Sequence, residues 1–118
     1  MKLRVIAFAI LALVLPVSAQ DDQPHHIGKG VTAPSVIKKV EPKYTKQARK
    51  AKIDGAVTLS IVVGTDGKAR DFKVLKSLDK GLDANAITAV SQWVFKPGMK
   101  DGTPVSVFAT VQVSFHLL

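Results

Sequence analysis

The sequence predicts an α+β domain, with a three-stranded antiparallel sheet in the order 2-1-3 and two helices on one face. Three observations predict it. Residues 57–63 and 105–117 alternate apolar and polar side chains, which is typical of half-buried strands. The tract between the first two strands, Gly64-Thr65-Asp66-Gly67, is typical of a tight hairpin turn. Apolar side chains also recur at helical spacing, at Leu82, Ala86, Val90 and Trp93.

The N-terminus has the pattern of a secretory signal peptide. Lys2 and Arg4 precede an apolar run over residues 5–15, and Val17-Ser18-Ala19 supplies a small-x-small cleavage pattern. A helix that spans a bilayer needs about 20 apolar residues, so this run is short for an anchor. We therefore predict a cleaved signal peptide over residues 1–19 and periplasmic export, with an uncleaved inner-membrane anchor as the alternative.

A leader and one domain follow the signal. Residues 20–34 have few large apolar side chains and several Pro and Gly residues, which indicates a flexible leader. The domain is predicted over residues 35–118. It begins with a short edge strand over residues 36–40, whose lysines suit an exposed edge, and Pro42 ends that strand.

The first helix is predicted to begin at Thr45 as N-cap and to run to about residue 52, where Gly55 stops it. Its inward side chains are expected to be Tyr44, Ala48 and Ala51. The second strand of the hairpin covers residues 69–76, with Phe72 and Val74 facing inward.

The second helix, over residues 82–93, is predicted to have Asp83 as its N-cap and a hydrophobic staple between Leu82 and Ile87. Residues 95–98 then turn the chain into one long final strand over residues 105–117. Its polar face consists of Ser106, Thr110, Gln112, Ser114 and His116, with Phe108 as an apolar exception. A crossover from the second strand places this strand at the far edge of the sheet.

The composition excludes several classes of function. The chain has no cysteine, so it has no disulfide, and no nucleophile-elbow serine or other catalytic set is present. His25-His26 with Asp21 and Asp22 is a weak metal-binding alternative on a polar leader. We therefore predict a protein that is not an enzyme and that has no cofactor or metal.

The net charge of +8 arises partly from a basic stretch over residues 38–52. We interpret this stretch as a solvated face. The alternative is electrostatic steering of an acidic peptide, peptidoglycan or anionic lipid. Nucleic acid is excluded as a partner because the signal exports the chain and Tyr44 is the only aromatic residue in the stretch.

An ordered set of motifs resembles the TonB C-terminal domain family. The set spans residues 40–115 and comprises Pro42-Lys43-Tyr44, Ala48, Ile53-Asp54-Gly55-Ala56-Val57, Asp66-Gly67, Val74, Ser77, Leu82-Asp83, Ala86, Trp93-Val94-Phe95-Lys96-Pro97-Gly98, Asp101-Gly102, Pro104-Val105, Val113 and Phe115. Most of these positions have conformational or core roles, so the resemblance implies the fold more directly than the activity.

The resemblance implies a periplasmic module of a Gram-negative cell. Such a module captures an extended segment of an outer-membrane transporter, the TonB box, as an added strand beside the last strand. Carried onto this chain, the docking residues are Ser106, Phe108, Thr110, Gln112 and Ser114 of the last strand and Glu41, Pro42 and Tyr44 before the first helix.

Two features depart from the family pattern. Energy transducers tend to have Gln where this chain has Glu41, and the Pro-rich spacer of a full transducer is not seen here. We therefore predict a periplasmic binding module whose partner is a TonB-dependent transporter or another envelope protein. One alternative is a short membrane-anchored energy transducer for siderophore or nutrient uptake. The other is a structural homodimer formed by strand pairing.

Overall fold

The computed structural model describes residues 23–117. The signal peptide predicted over residues 1–19 lies outside the described residues. The elements are β1 (Ser35–Lys38), α1 (Lys46–Lys50), β2 (Gly55–Val63), β3 (Ala69–Lys76), α2 (Lys80–Ser91), β4 (Val94–Lys96), β5 (Gly98–Lys100), β6 (Thr103–Val105) and β7 (Val107–Phe115). Within residues 23–117, neither helix has the length and apolar character that a membrane span requires.

The main sheet has three strands in the order β3-β2-β7, and both pairings are antiparallel. This confirms the predicted α+β class and the 2-1-3 order. β2 lies in the centre because the hairpin places β3 on one side and the crossover through α2 returns β7 to the other. β2 and β7 pair without a bulge from Gly55 opposite Phe115 to Val63 opposite Val107.

The hydrophobic core lies between this sheet and the two helices. One face of β2 is buried and contacts Ala48 of α1 and the apolar stripe of α2 in a single cluster. Trp93 and Phe95 after α2, with Phe115 of β7, complete the cluster. The core residues Val57, Leu59, Ile61, Val63, Leu82, Ala86 and Val90 are almost entirely inaccessible to solvent.

The first helix begins as predicted but ends earlier. The Thr45 hydroxyl accepts a hydrogen bond from the amide of Ala48 at 3.0 Å, which confirms Thr45 as the N-cap. The helix ends at Lys50, and Ala51 is exposed rather than inward. Lys52 makes the left-handed reversal with φ of 55°, and Gly55 is already the first residue of β2. The prediction that Gly55 stops the helix is therefore wrong.

The second helix begins before the predicted start. Its N-cap is Asp79, whose carboxylate accepts from the amide of Leu82 at 3.0 Å. Asp83 instead reaches back and accepts from the amide of Leu78 at 3.0 Å and from the Ser77 hydroxyl. The predicted staple is wrong for the same reason, since Leu82 lies inside the helix and is fully buried. Two nearby aspartates can each cap a helix, and the spacing of apolar residues does not rank them.

The C-terminal region contains short strands that the sequence pattern does not predict. β4 pairs with β1, so the predicted edge strand belongs to a separate two-stranded sheet. β5 and β6 form a small hairpin whose turn residues Asp101 and Gly102 both have positive φ. The single strand predicted over residues 105–117 is broken at Ser106, which is 1% exposed rather than on the polar face.

Gly67 connects the β2–β3 turn to the chain after α2. Its carbonyl accepts from the amide of Phe95 at 2.9 Å, and its φ is +79°. A side chain at this position would place its Cβ 2.3 Å from the carbonyl oxygen of Phe95. Gly102 has nearly the same φ, +78°, but a Cβ added there would meet no atom within 4 Å.

We expect Gly67→Ala to lower the free energy of unfolding by about 3 kcal/mol, because it adds a steric clash to the cost of a positive φ. Gly102→Ala is the matched control and is expected to cost only about 1 kcal/mol, since it has the strain without the clash. Urea denaturation followed by circular dichroism measures both values. Equal losses of unfolding free energy in the two variants would show that contact with the Phe95 carbonyl adds no cost to a side chain at position 67.

Candidate docking site at the free edge of the sheet

β7 is the last strand of the sheet, and its outer side carries the predicted docking edge. The amide of Phe108 points to this side, because it donates to the carbonyl of His25 rather than to β2. Backbone groups of alternate residues in an antiparallel strand point to the same side. The amides and carbonyls of Thr110, Gln112 and Ser114 therefore also point away from β2, toward the free edge.

The segment before α1, residues 39–43, lies beside the downstream part of this edge. The indole nitrogen of Trp93 donates to the carbonyl of Val40 at 2.9 Å. The side-chain amide of Asn85 donates to the carbonyl of Lys43 at 2.7 Å. These two bonds hold both ends of the segment against α2 and the chain that follows it, so Glu41 and Pro42 form a fixed wall opposite β7.

A pocket of about 160 Å³ lies between this wall and the strand. It brings together four of the predicted docking residues, Glu41, Pro42, Gln112 and Ser114. The remaining lining residues are Lys39, Val40, Trp93 and Val113. The ammonium group of Lys39 lies 5.4 Å from the centre of the Trp93 ring, which places a positive charge at the rim of the pocket.

Tyr44 lies immediately before the N-cap of α1, and its side chain packs against the core. Its hydroxyl donates to the carbonyl of Ile53 at 2.7 Å, and its ring meets Phe115 edge to face at 5.6 Å. Desolvation raises the pKa of Tyr44, the charge of Asp54 adds to the rise, and Arg49 opposes it. The hydroxyl is protonated at neutral pH even without this shift, and it donates to Ile53.

The upstream end of β7 is covered by the leader. The amide of His25 donates to the carbonyl of Ser106 at 2.7 Å, and the carbonyl of His25 accepts from the amide of Phe108 at 2.9 Å. The ring of His26 stacks on Phe108 with centroids 4.7 Å apart. Of the five docking residues predicted on the last strand, Ser106 and Phe108 therefore contact the leader, and the backbone edge at the other three is left open by it.

The pattern of residues 20–34 predicts a flexible leader and does not indicate these contacts of His25. The available signal was the Gly28-Lys29-Gly30 tract, which is typical of a reversal that turns the leader back onto the domain. In the structure Gly28 and Val31 exchange two backbone hydrogen bonds across this turn.

Ion pairs contribute little to the site. Within residues 23–117 Arg70 forms an ion pair with Asp71 at 3.6 Å, and the ring nitrogen Nδ1 of His116 lies 3.5 Å from the carboxylate of Asp54; both contacts are exposed. The lysines of the basic stretch over residues 38–52 are exposed and have no acidic partner in the described part of the chain, and Lys39 among them lies over the Trp93 ring. Residues 23–117 also hold no cluster of three or more His, Cys, Asp or Glu side chains that could bind a metal ion.

The chain is similar to proteins of one family. Residues 40–117 match the model of the family described as Gram-negative bacterial TonB protein C-terminal. The "Protein TonB" of Vibrio cholerae serotype O1 is 30% identical over 107 residues, which cover 83% of this chain and 44% of that protein. The chain thus spans less than half the length of that curated relative.

A solved structure is similar in fold. The solution NMR structure of the Pseudomonas aeruginosa TonB CTD superposes with a TM-score of 0.59 at 24% sequence identity. The alignment covers 79% of this chain and 93% of that one. The fold of the sheet and its helices is therefore shared with that domain.

The Asn85 bond to Lys43 leads to a prediction about the wall. We expect Asn85→Ala to release the C-terminal end of the segment, to lower the free energy of unfolding by about 1 kcal/mol, and to increase the fast backbone motion of Glu41 and Lys43. Urea denaturation measures the first effect, and backbone ¹⁵N order parameters from NMR relaxation measure the second. Ser91→Ala is the control, because that hydroxyl bonds within its own helix, to the carbonyl of Thr88. Order parameters that are unchanged at Glu41 and Lys43 in Asn85→Ala would contradict the anchoring role.

Proposed function

Because the chain belongs to the family of Gram-negative bacterial TonB protein C-terminal domains, we propose that it captures an extended segment of an outer-membrane TonB-dependent transporter. The segment adds as a strand beside β7. The observation that carries the proposal is the row of outward backbone groups at Thr110, Gln112 and Ser114. Its downstream part, at Gln112 and Ser114, faces the wall formed by Glu41 and Pro42. The family is non-enzymatic, and this confirms the prediction that the chain is not an enzyme.

The edge and the pocket have different roles in this mode of binding. Backbone groups of an edge strand bind any extended chain with free amides and carbonyls, so they contribute affinity without reading side chains. Side chains of the added strand alternate between the two faces of the sheet, and those on one face are directed toward the pocket. Val113 and Trp93 make that pocket partly apolar, and Lys39 and Glu41 give it charges of both signs.

The proposed location is the periplasm, where the family acts between the inner and outer membranes. There the module would bind its partner. The short, anchored energy transducer is the alternative, and it requires that the N-terminal apolar segment remain in the membrane. The state of the N-terminus therefore distinguishes the two.

We expect Thr110→Pro to weaken binding of a box peptide about tenfold, because proline removes one outward donor from the edge strand. The probe is a synthetic peptide that copies the box of an outer-membrane transporter from the same organism. Isothermal titration calorimetry measures the affinity, and circular dichroism shows that the variant is folded. Thr110→Val is the matched control, because it removes the hydroxyl and keeps the backbone donor.

Binding unchanged in a folded Thr110→Pro variant would overturn the edge-pairing proposal. Equal weakening by Thr110→Val and Thr110→Pro would show that the side chain rather than the backbone makes the contact. The homodimer through the same edge would be favoured if the solution molecular mass of the free wild type rises with protein concentration and that of Thr110→Pro does not.

The mature N-terminus is expected at Gln20. Intact mass spectrometry of the protein recovered from the periplasm of an expressing Gram-negative cell checks this, because cleavage after Ala19 removes a defined mass. A full-length mass in the inner-membrane fraction would instead support the anchored transducer.

A further inference from the structure

The leader segment, residues 23–32, is attached to the domain at two places. Near its start, His25 makes both of its backbone hydrogen bonds to the edge of β7, in a parallel bridge opposite Val107. Near its end, the amide of Thr32 donates to the carbonyl of Met99, and the Thr32 hydroxyl accepts from the amide of Met99, both at 2.9 Å. The leader therefore lies along the domain surface with a defined register.

The reversal between these two attachments is tight. Gly28 and Val31 exchange hydrogen bonds of 2.9 and 3.1 Å, and the central residues Lys29 and Gly30 have φ of 52° and 87°. Positive φ at both central positions is the conformation of a type I′ turn. Val31 behind the turn is 8% exposed, so the turn is packed onto the domain and directs the preceding residues toward β7.

We propose that the leader is a built-in strand that occupies the upstream end of the docking edge. It restricts a partner strand to the stretch from Thr110 to Ser114. The inference rests on the proposed function for the partner, but the contacts of the leader are independent of it. His25 occupies the carbonyl of Ser106 and the amide of Phe108, and the stacked ring of His26 covers the Phe108 side chain.

The stretch that remains matches a short extended peptide. Its outward groups begin at the carbonyl of Phe108 and continue through Thr110, Gln112 and Ser114, next to the pocket at Glu41 and Pro42. A partner residue opposite Phe108 meets an amide that already has an acceptor. A longer partner therefore gains no further pairing there unless it displaces His25.

The test combines the length of the peptide with release of the leader. The double variant His25→Pro, His26→Ala removes the donor to Ser106 and the ring stacked on Phe108. The carbonyl of residue 25 remains, but it loses the two contacts that hold it against the Phe108 amide, so we expect that bond to open as well. Lys29→Gly is the control within the same leader, because glycine adopts its positive φ freely. The probes are a five-residue box peptide and a version extended by two residues at each end, so that either strand direction reaches Phe108.

In the wild type and in Lys29→Gly, we expect the two peptides to bind within about twofold of each other. In the double variant we expect the longer peptide to bind about tenfold more tightly than the shorter one, because a freed hydrogen-bonding site becomes available. The proposal is overturned if the longer peptide gains the same affinity over the shorter one in all three proteins.

Amide exchange in the free proteins provides a second readout that needs no partner. The Phe108 amide is expected to exchange at least about tenfold more slowly in the wild type and in Lys29→Gly than in the double variant. The Thr110, Gln112 and Ser114 amides should exchange fast in all three. If neither peptide binds, the proposed function fails, and the exchange of Phe108 alone then decides whether the leader occupies the edge. Equal exchange at Phe108 in all three proteins overturns the proposal.

Discussion

The unbroken register between β2 and β7 is the constraint on which the rest of the structure depends. Each residue from Gly55 to Val63 has a partner on β7, so every second backbone group of β7 is used in that pairing. The same register decides which side chains reach the core and which backbone groups remain at the edge. A shift by one residue would expose Val113 and Phe115 and turn the amides of Thr110 and Gln112 toward β2. Core packing therefore also specifies which backbone groups form the proposed docking edge.

Trp93 connects this core to the candidate site. Its ring is 5% exposed and packs with Phe95, and its indole nitrogen holds the carbonyl of Val40. One side chain thus fills the core after α2 and positions the segment that faces β7. The segment at residues 39–43 and the strand β7 both pack against the same core, so folding of the domain fixes the distance between them.

An exposed edge strand is prone to pair with other chains, and this fold limits that exposure at one end. His25 satisfies the outward groups at Ser106 and Phe108, where the strand has a large apolar side chain. The polar residues Thr110, Gln112 and Ser114 lie on the part that the leader leaves open. The open part is thus the more polar one, which suits reversible capture of a peptide better than permanent association.

The sequence by itself determined the three main strands, the Asp66-Gly67 hairpin, the apolar stripe of α2 and the Thr45 cap, because each depends on local periodicity or on a local side-chain bond. The cap of α2 is also a local bond, from the amide of Leu82 to Asp79, but two aspartates can serve as the cap and the apolar spacing does not rank them. Tertiary structure alone decided that Ser106 is buried and that β1 pairs with β4. It also decided that Glu41 and Pro42 meet Gln112 and Ser114, and that His25 lies on β7. These outcomes depend on contacts between residues far apart in the chain, and no local pattern encodes which distant partner satisfies a backbone group.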